Sequence, residues 1–234
     1  MRTPNRDTLE AVARMLGDIR DEVVFVGGQV TELLITAPTQ ARMRYTDDVD
    51  VICPVATLSQ YATLSDRLRS RGFTEDSSEG APLCRWRSAA GVLDVMPTVP
   101  EVLRFGNPWY RAAYERAIPH ELAPDLHLRI VSAPLFLATK WLAFRERGQD
   151  DPFSSRDVED IVSVVAGRPE LLAEIEAETA ELRGWLGENA RSFLSSEDAA
   201  DVLDGILPPE RLALGVRRVV WERFARIAAP SSAR

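Results

Sequence analysis

The sequence predicts an α+β protein, a small mixed β-sheet with helices in the first half followed by a helical second half. Two observations predict it. Up to about residue 125, short β-branched runs alternate with amphipathic helical stretches. Beyond that point the apolar spacing is mostly helical, which suggests domains over 1–125 and 126–234. A chain of 234 residues holds one large domain or two small ones, and a hydrophobic fraction of 45% is ample for their cores.

Each element has its own signal. Thr8 to Arg20 reads as an amphipathic helix, and Val23-Val24-Phe25-Val26 as a strand stopped by Gly27-Gly28. Helical spacing resumes from Gln29 to Leu34. Asp48 to Cys53 alternates charged and apolar residues like a strand with one wet face. Thr57 to Arg71 is helical, with Gly72 as its stop. Phe73–Glu75, Leu83–Ser88 and Val92–Met96 read as strands separated by turns at 77–80 and at Gly91. A last strand is expected over His127–Val131. Ser132 then reads as the cap of a helix reaching Arg147, and Ser154 or Ser155 as the cap of one reaching Val165. Further helices are expected from Pro169, Ser196 and Pro208.

Composition narrows the function. No apolar run approaches the roughly 20 residues that span a bilayer, and the N-terminus reads as an amphipathic helix, so a cytoplasmic protein is expected. Cys53 and Cys84 have no zinc-ligand spacing, and the two histidines, His120 and His127, argue against histidine-driven chemistry. A net charge of −8 argues against a surface that grips long nucleic acid, so any such contact is expected to be local. Among 28 Lys and Arg there is a single lysine, Lys140. It reads either as a chance survivor or as a site that needs a compact ammonium rather than a planar guanidinium.

Three features of the strand-rich half carry chemistry. Gly27-Gly28 between strand and helix is either a tight turn or a place where backbone approaches a phosphate closely. In Thr46-Asp47-Asp48-Val49-Asp50-Val51, strand alternation puts Asp48 and Asp50 on one side and turns Asp47 away. Two carboxylates on one strand face are either a solvated acidic edge or ligands of a hard cation such as Mg²⁺. Asp94, alone between Leu93 and Val95, needs a partner, which a metal shared with Asp48 and Asp50 would supply.

Gly-Gly, Asp-x-Asp on a strand and a single Asp on a later strand resemble the signature of polymerase-β-like nucleotidyltransferases. The continuation through Asn107-Pro108-Trp109-Tyr110, Ala138-Thr139-Lys140, Ala143-Phe144, Arg147-Gly148 and Ser155-Arg156-Asp157-Val158-Glu159-Asp160-Ile161 is similar to the AbiEii/MenT-type toxins of bacterial toxin–antitoxin systems. The resemblance covers roughly Val23 to Arg168. The interval from Gly28 to Asp48 is longer than in the compact superfamily motif.

The resemblance implies a nucleotidyltransferase palm followed by a helical domain that contributes Lys140 and Asp157 to the site. Asp48, Asp50 and Asp94 would hold two Mg²⁺ ions. Gly27, Gly28, Thr46 and Lys140 would meet an NTP, and Asp157 would sit near Lys140 as a second essential residue, with Asp160 one helical turn on. Asp157 equally suits ordinary placement of an acid at a helix start. Arg42, Arg44, Arg85, Arg87 and Arg156 form a local phosphate- or RNA-binding patch or simply a solvated face.

The expected reaction is transfer of NMP to an RNA acceptor, the 3′ end of a tRNA, with growth inhibition as the outcome and a cognate antitoxin as partner. An aminoglycoside-type antibiotic nucleotidyltransferase would use the same carboxylates, and an acidic body suits its cationic acceptor. A catalytically silent regulatory relative is the third reading.

Overall fold

The computed structural model describes residues 3–37, 44–147, 151–207 and 213–229. It is an α+β protein built on a seven-stranded mixed sheet. The chain begins with α1 (Pro4–Leu16), α2 (Ile19–Glu22), β1 (Val24–Val26), a 3-10 turn over Gly28–Val30 and α3 (Thr31–Leu34). Next come β2 (Asp48–Cys53), α4 (Leu58–Ser70), β3 (Thr74–Glu75), β4 (Arg85–Ser88) and β5 (Gly91–Pro97). A 3-10 turn over Pro100–Val102 leads to α5 (Tyr110–Glu115), β6 (Ile118–Ala123) and β7 (Leu126–Ile130). The helices α6 (Ala133–Arg147), α7 (Arg156–Gly167), α8 (Leu171–Glu176), α9 (Ala180–Leu194), α10 (Ala199–Ile206) and α11 (Ala213–Ala228) follow.

The chain divides into two compact units, Met1–Val30 with Arg44–Ser132 and Thr31–Met43 with Ala133–Arg234. The first holds the whole sheet, in the order β3-β4-β5-β2-β1-β7-β6. β2 runs parallel to β5 and β1 parallel to β7, and the other neighbours are antiparallel. Because β7 pairs with β1, the sheet unit continues to Ser132, whereas the sequence pattern suggests a boundary after residue 125.

Local chemistry explains the elements. The Thr3 hydroxyl accepts a hydrogen bond from the Arg6 amide at 3.3 Å, and Pro4 opens α1 with the dihedral a helix needs. Leu9, Val12, Ala13 and Leu16 recur at helical spacing and are fully buried. Gly17, at φ +60°, ends α1 three residues before the expected Arg20, and α2 follows as a separate turn. β2 coincides with the expected strand, and Val49 and Val51 face the core.

Several expectations change. Ser132 precedes α6, but its hydroxyl is buried without a hydrogen-bond partner, so it does not cap the helix. Ser155 does cap α7, accepting from the Val158 amide at 3.3 Å. The single helix expected from Pro169 is instead α8 and α9, the second capped by Thr179. Strand β6 and helix α5 are additional to those expected. Both cysteines are buried free thiols, and burial pushes each up to about 12. Arg42, Gly148 and Pro208 lie outside the described residues.

In the second unit, Trp141 of α6, Phe193 of α9 and Phe224 of α11 form an aromatic cluster. Their ring centroids lie 5.9 Å apart for Trp141–Phe193, 6.4 Å for Trp141–Phe224 and 5.1 Å for Phe193–Phe224. Among the described residues no helix is long and apolar enough to cross a membrane.

Candidate active site

The site is set by strand register. β2 presents Asp48 and Asp50 on the face opposite Val49 and Val51. In the parallel β2–β5 ladder Asp50 stands directly beside Asp94, and Asp48 beside Val92. Registered residues on neighbouring strands point to the same face, so the three expected carboxylates share one surface at the middle of the sheet. Asp48 and Asp50 are half-buried, while Asp94 is 7% exposed. Asp47 is exposed, as its opposite parity requires.

Antiparallel β4 adds a fourth residue to this row, because Arg85 is the register partner of Asp94. Its Nε donates to Asp94 Oδ1 at 2.9 Å and its Nη2 to Asp94 Oδ2 at 2.7 Å. The same Nη2 reaches Asp48 Oδ2 at 3.1 Å. Asp94, by hydrogen bonding first and charge second, holds the Arg85 guanidinium even more firmly protonated than usual. Cys84, next in sequence, has its thiol raised by burial and then by the negative charge of Asp94 and Asp50. Trp86, between the two arginines, is buried in the core, so Arg85 and Arg87 do face one way. They meet different partners, since Arg87 Nε donates to Asp76 Oδ2 at 2.8 Å.

On the other flank of β2, Gly27 follows Val26, the register partner of Asp50. Gly27 adopts φ +71°, a region costly to residues with a Cβ. A Cβ there would lie 1.9 Å from Asp50 Oδ2. The first glycine is therefore the space in which the Asp50 carboxylate sits. Gly27→Ala is expected to displace Asp50 and add roughly 1 kcal/mol of backbone strain. Any activity that depends on the Asp50 carboxylate should fall by on the order of 100-fold with only a few degrees lost in melting temperature, as measured by rate assays and thermal unfolding. The helix expected after Gly28 is a 3-10 turn and then the four-residue α3.

The segment entering β2 is clamped by residues the sequence reading did not single out. Asn5 Oδ1 accepts from the Thr46 amide at 3.0 Å, and Asn5 Nδ2 donates to the Arg44 carbonyl at 2.7 Å. Gln29 Nε2 donates to the Thr46 carbonyl at 2.7 Å. Thr46 is 6% exposed, and its hydroxyl is buried without a hydrogen-bond partner. The available signal was a Gln directly after Gly-Gly, a polar side chain at the start of the expected helix. In the Asn107-Pro108-Trp109-Tyr110 motif, Asn107 Oδ1 accepts from the Trp109 amide at 3.0 Å. Its Tyr110 hydroxyl lies 3.0 Å from Met96 Sδ at the end of β5.

Lys140, Asp157 and Asp160 form a cluster in the second unit. Lys140 Nζ lies 3.0 Å from Asp157 Oδ1 and 2.6 Å from Asp160 Oδ2. Lys140 is 9% exposed. Burial lowers the basicity of its ammonium, but the charges of Asp160 and Asp157 outweigh it and leave the value raised. Arg147 Nη2 reaches Asp157 Oδ2 at 3.3 Å. Arg156 is exposed at the start of α7, and Arg44 is half-buried with Nη1 donating to the Tyr45 carbonyl at 3.2 Å.

Among the described residues, no group of three or more His, Cys, Asp and Glu stands gathered closely enough to hold a metal as arranged. The donor set nevertheless suits a hard divalent cation, being all carboxylate oxygen on one face. A cationic group already bridges two of its members, since the Arg85 guanidinium contacts both Asp94 and Asp48. Asp48, Asp50 and Asp94 are the residues that would hold Mg²⁺.

No protein-family model matches the chain, and no curated protein is significantly similar to it. Among solved structures it is similar to JHP933 from Helicobacter pylori, at 14% identity over 96% of this chain and 90% of that one, with a TM-score of 0.47. It is similar to a candidate nucleotidyltransferase from H. pylori at 13% identity over 96% and 93%, with a TM-score of 0.49. It is also similar to the antibiotic-resistance factor ANT(2'')-Ia at 14% identity over 70% and 84%, with a TM-score of 0.42. Identities this low leave the chemistry to be read from the site itself.

Proposed function

We propose that this protein is a Mg²⁺-dependent nucleotidyltransferase that moves NMP from an NTP to an RNA acceptor and releases pyrophosphate. The observation that carries the reading is register: Asp50 stands beside Asp94, and Asp48 shares their face. The acceptor, the 3′ end of a tRNA, follows from the resemblance to AbiEii/MenT-type toxins, as do growth inhibition and a cognate antitoxin.

Asp48 and Asp50 supply hard oxygen donors, and Gly27 leaves the space the Asp50 carboxylate occupies. Mg²⁺ bound to the three carboxylates would offset charge on the triphosphate and at the attacking and leaving oxygens. Asp94 takes the proton of the acceptor hydroxyl, whose oxygen bonds to the α-phosphorus. The bond from that phosphorus to the bridging oxygen breaks, and its electrons leave with pyrophosphate. The resemblance assigns nucleotide contacts to Gly28 and Thr46, buried in the turn after β1 and beside the start of β2.

A second reading is favoured by the net charge of −8, which suits a cationic small-molecule acceptor such as an aminoglycoside. Purified protein incubated with Mg²⁺, bulk tRNA and each labelled NTP in turn separates the two. Asp48→Ala and Lys140→Ala run beside it, the latter testing the nucleotide role that the resemblance assigns to Lys140. Label on tRNA with one NTP, lost in Asp48→Ala, supports the RNA reading. Label only on an aminoglycoside supports the second. Transfer to no acceptor from any NTP overturns both.

A further inference from the structure

We infer that Arg85 is a built-in counter-cation that a divalent metal displaces: the guanidinium holds Asp94 and Asp48 in the metal-free protein and yields them when metal binds. The inference deepens the proposed function and rests on its metal-dependent reading.

The geometry carries it in three steps. The Asp94 side chain is 9% exposed, and a carboxylate so buried is costly unless a cation or strong donors satisfy it. Arg85 meets that need with a two-pronged grip on both Asp94 oxygens, and its Nη2 extends to Asp48. The guanidinium therefore lies on the oxygens that the metal reading requires.

Asp94 and Asp50 are held towards different neighbours. Asp94 is bound towards β4, while Asp50 Oδ2 lies against Gly27, beyond the opposite side of β2. Releasing Asp94 and Asp48 from Arg85 frees them to turn towards Asp50.

Arg85 is suited to leave, because its side chain is 28% exposed and its attachment to β4 keeps it close after release. Arg87, the next residue on that face, is held by Asp76 instead. The three carboxylates and one guanidinium leave a net charge of −2 in the row, enough to attract a divalent cation while Arg85 is still seated. Once displaced, the guanidinium is free to pair with phosphate oxygens, which it binds in the same forked manner.

The test measures Mn²⁺ binding by electron paramagnetic resonance without nucleotide, and melting temperature with EDTA or saturating Mn²⁺. It uses the full chain as wild type, Arg85→Gln and Arg85→Lys. Arg85→Gln is expected to bind Mn²⁺ about fivefold tighter or more, the effect of one unit charge at contact distance even under full water screening. In EDTA it should melt below wild type, and saturating Mn²⁺ should close that gap. Arg85→Lys keeps the charge without the fork, so it should fall between the two, and it carries the comparison if Arg85→Gln does not fold. Equal or weaker Mn²⁺ binding by the folded variants overturns displacement while leaving the metal-dependent reading intact. Absence of Mn²⁺ binding in every protein, wild type included, overturns both.

Discussion

Asp50→Asn is expected to reduce nucleotidyl transfer by on the order of 10²–10³-fold, the scale of losing one group that stabilises transition-state charge, without lowering stability. Asn has nearly the same shape as Asp, so it fits the space beside Gly27. It lacks the charge that a metal shared with Asp94 would need. Asp50 is half-buried and stands in register with another carboxylate, so neutralising it relieves repulsion in the metal-free fold. Activity and stability should therefore part company, with the rate collapsing and the melting temperature holding or rising. Asp47→Asn, one residue outside β2 and exposed, should change neither. Single-turnover rates and thermal unfolding of the two variants check this. A large loss of stability in Asp50→Asn would mean that the carboxylate is a structural group.

Lys140→Met is expected to destabilise the fold by about 3–5 kcal/mol, the cost of breaking a buried ion pair from one side. Lys140 is 9% exposed and bridges two carboxylates, so its removal leaves Asp157 and Asp160 facing each other without it. Asp157→Asn should cost less, because the shorter contact from Lys140 to Asp160 survives. The pH dependence has a definite sign. The folded-state value of Lys140 is raised, so its contribution is complete below its ordinary value of 10.5 and is lost only as pH rises past it. Denaturant unfolding of both variants, repeated across alkaline pH, measures these effects. Measuring NTP affinity on the folded fraction tests the nucleotide role separately from the structural one.

What was legible in the sequence was local. Alternation across Asp48–Cys53 placed two acids on one face and two valines in the core, and the strand matches residue for residue. Asp94 stood out because an acid between Leu93 and Val95 has no apolar excuse. The register of Asp50 with Asp94 could not be read, since it joins parallel strands more than 40 residues apart and no local rule links them. The facing of Arg85 was visible in the Arg-Trp-Arg alternation; its grip on Asp94 depends on the exact register of the β4–β5 hairpin, and its reach to Asp48 joins distant parts of the chain.

Strand β6 escaped notice because Ile118-Pro119-His120-Glu121 carries a proline and two polar residues. Its place at the edge of the sheet explains why these are tolerated. The lone lysine drew attention through composition. The resemblance set Asp157 near it with Asp160 one helical turn on, and it is the packing of α6 against α7 that brings both acids to its ammonium.

The most direct test of the central claim follows the phosphates. The protein, with Mg²⁺ and acceptor, is given one NTP labelled at either the α- or the γ-phosphorus. Nucleotidyl transfer on the Asp48, Asp50 and Asp94 face predicts α-label joined to the acceptor and γ-label released in pyrophosphate, both lost in Asp50→Asn. Transfer of the γ-label to the acceptor, or α-label transfer undiminished in Asp50→Asn, would contradict the account.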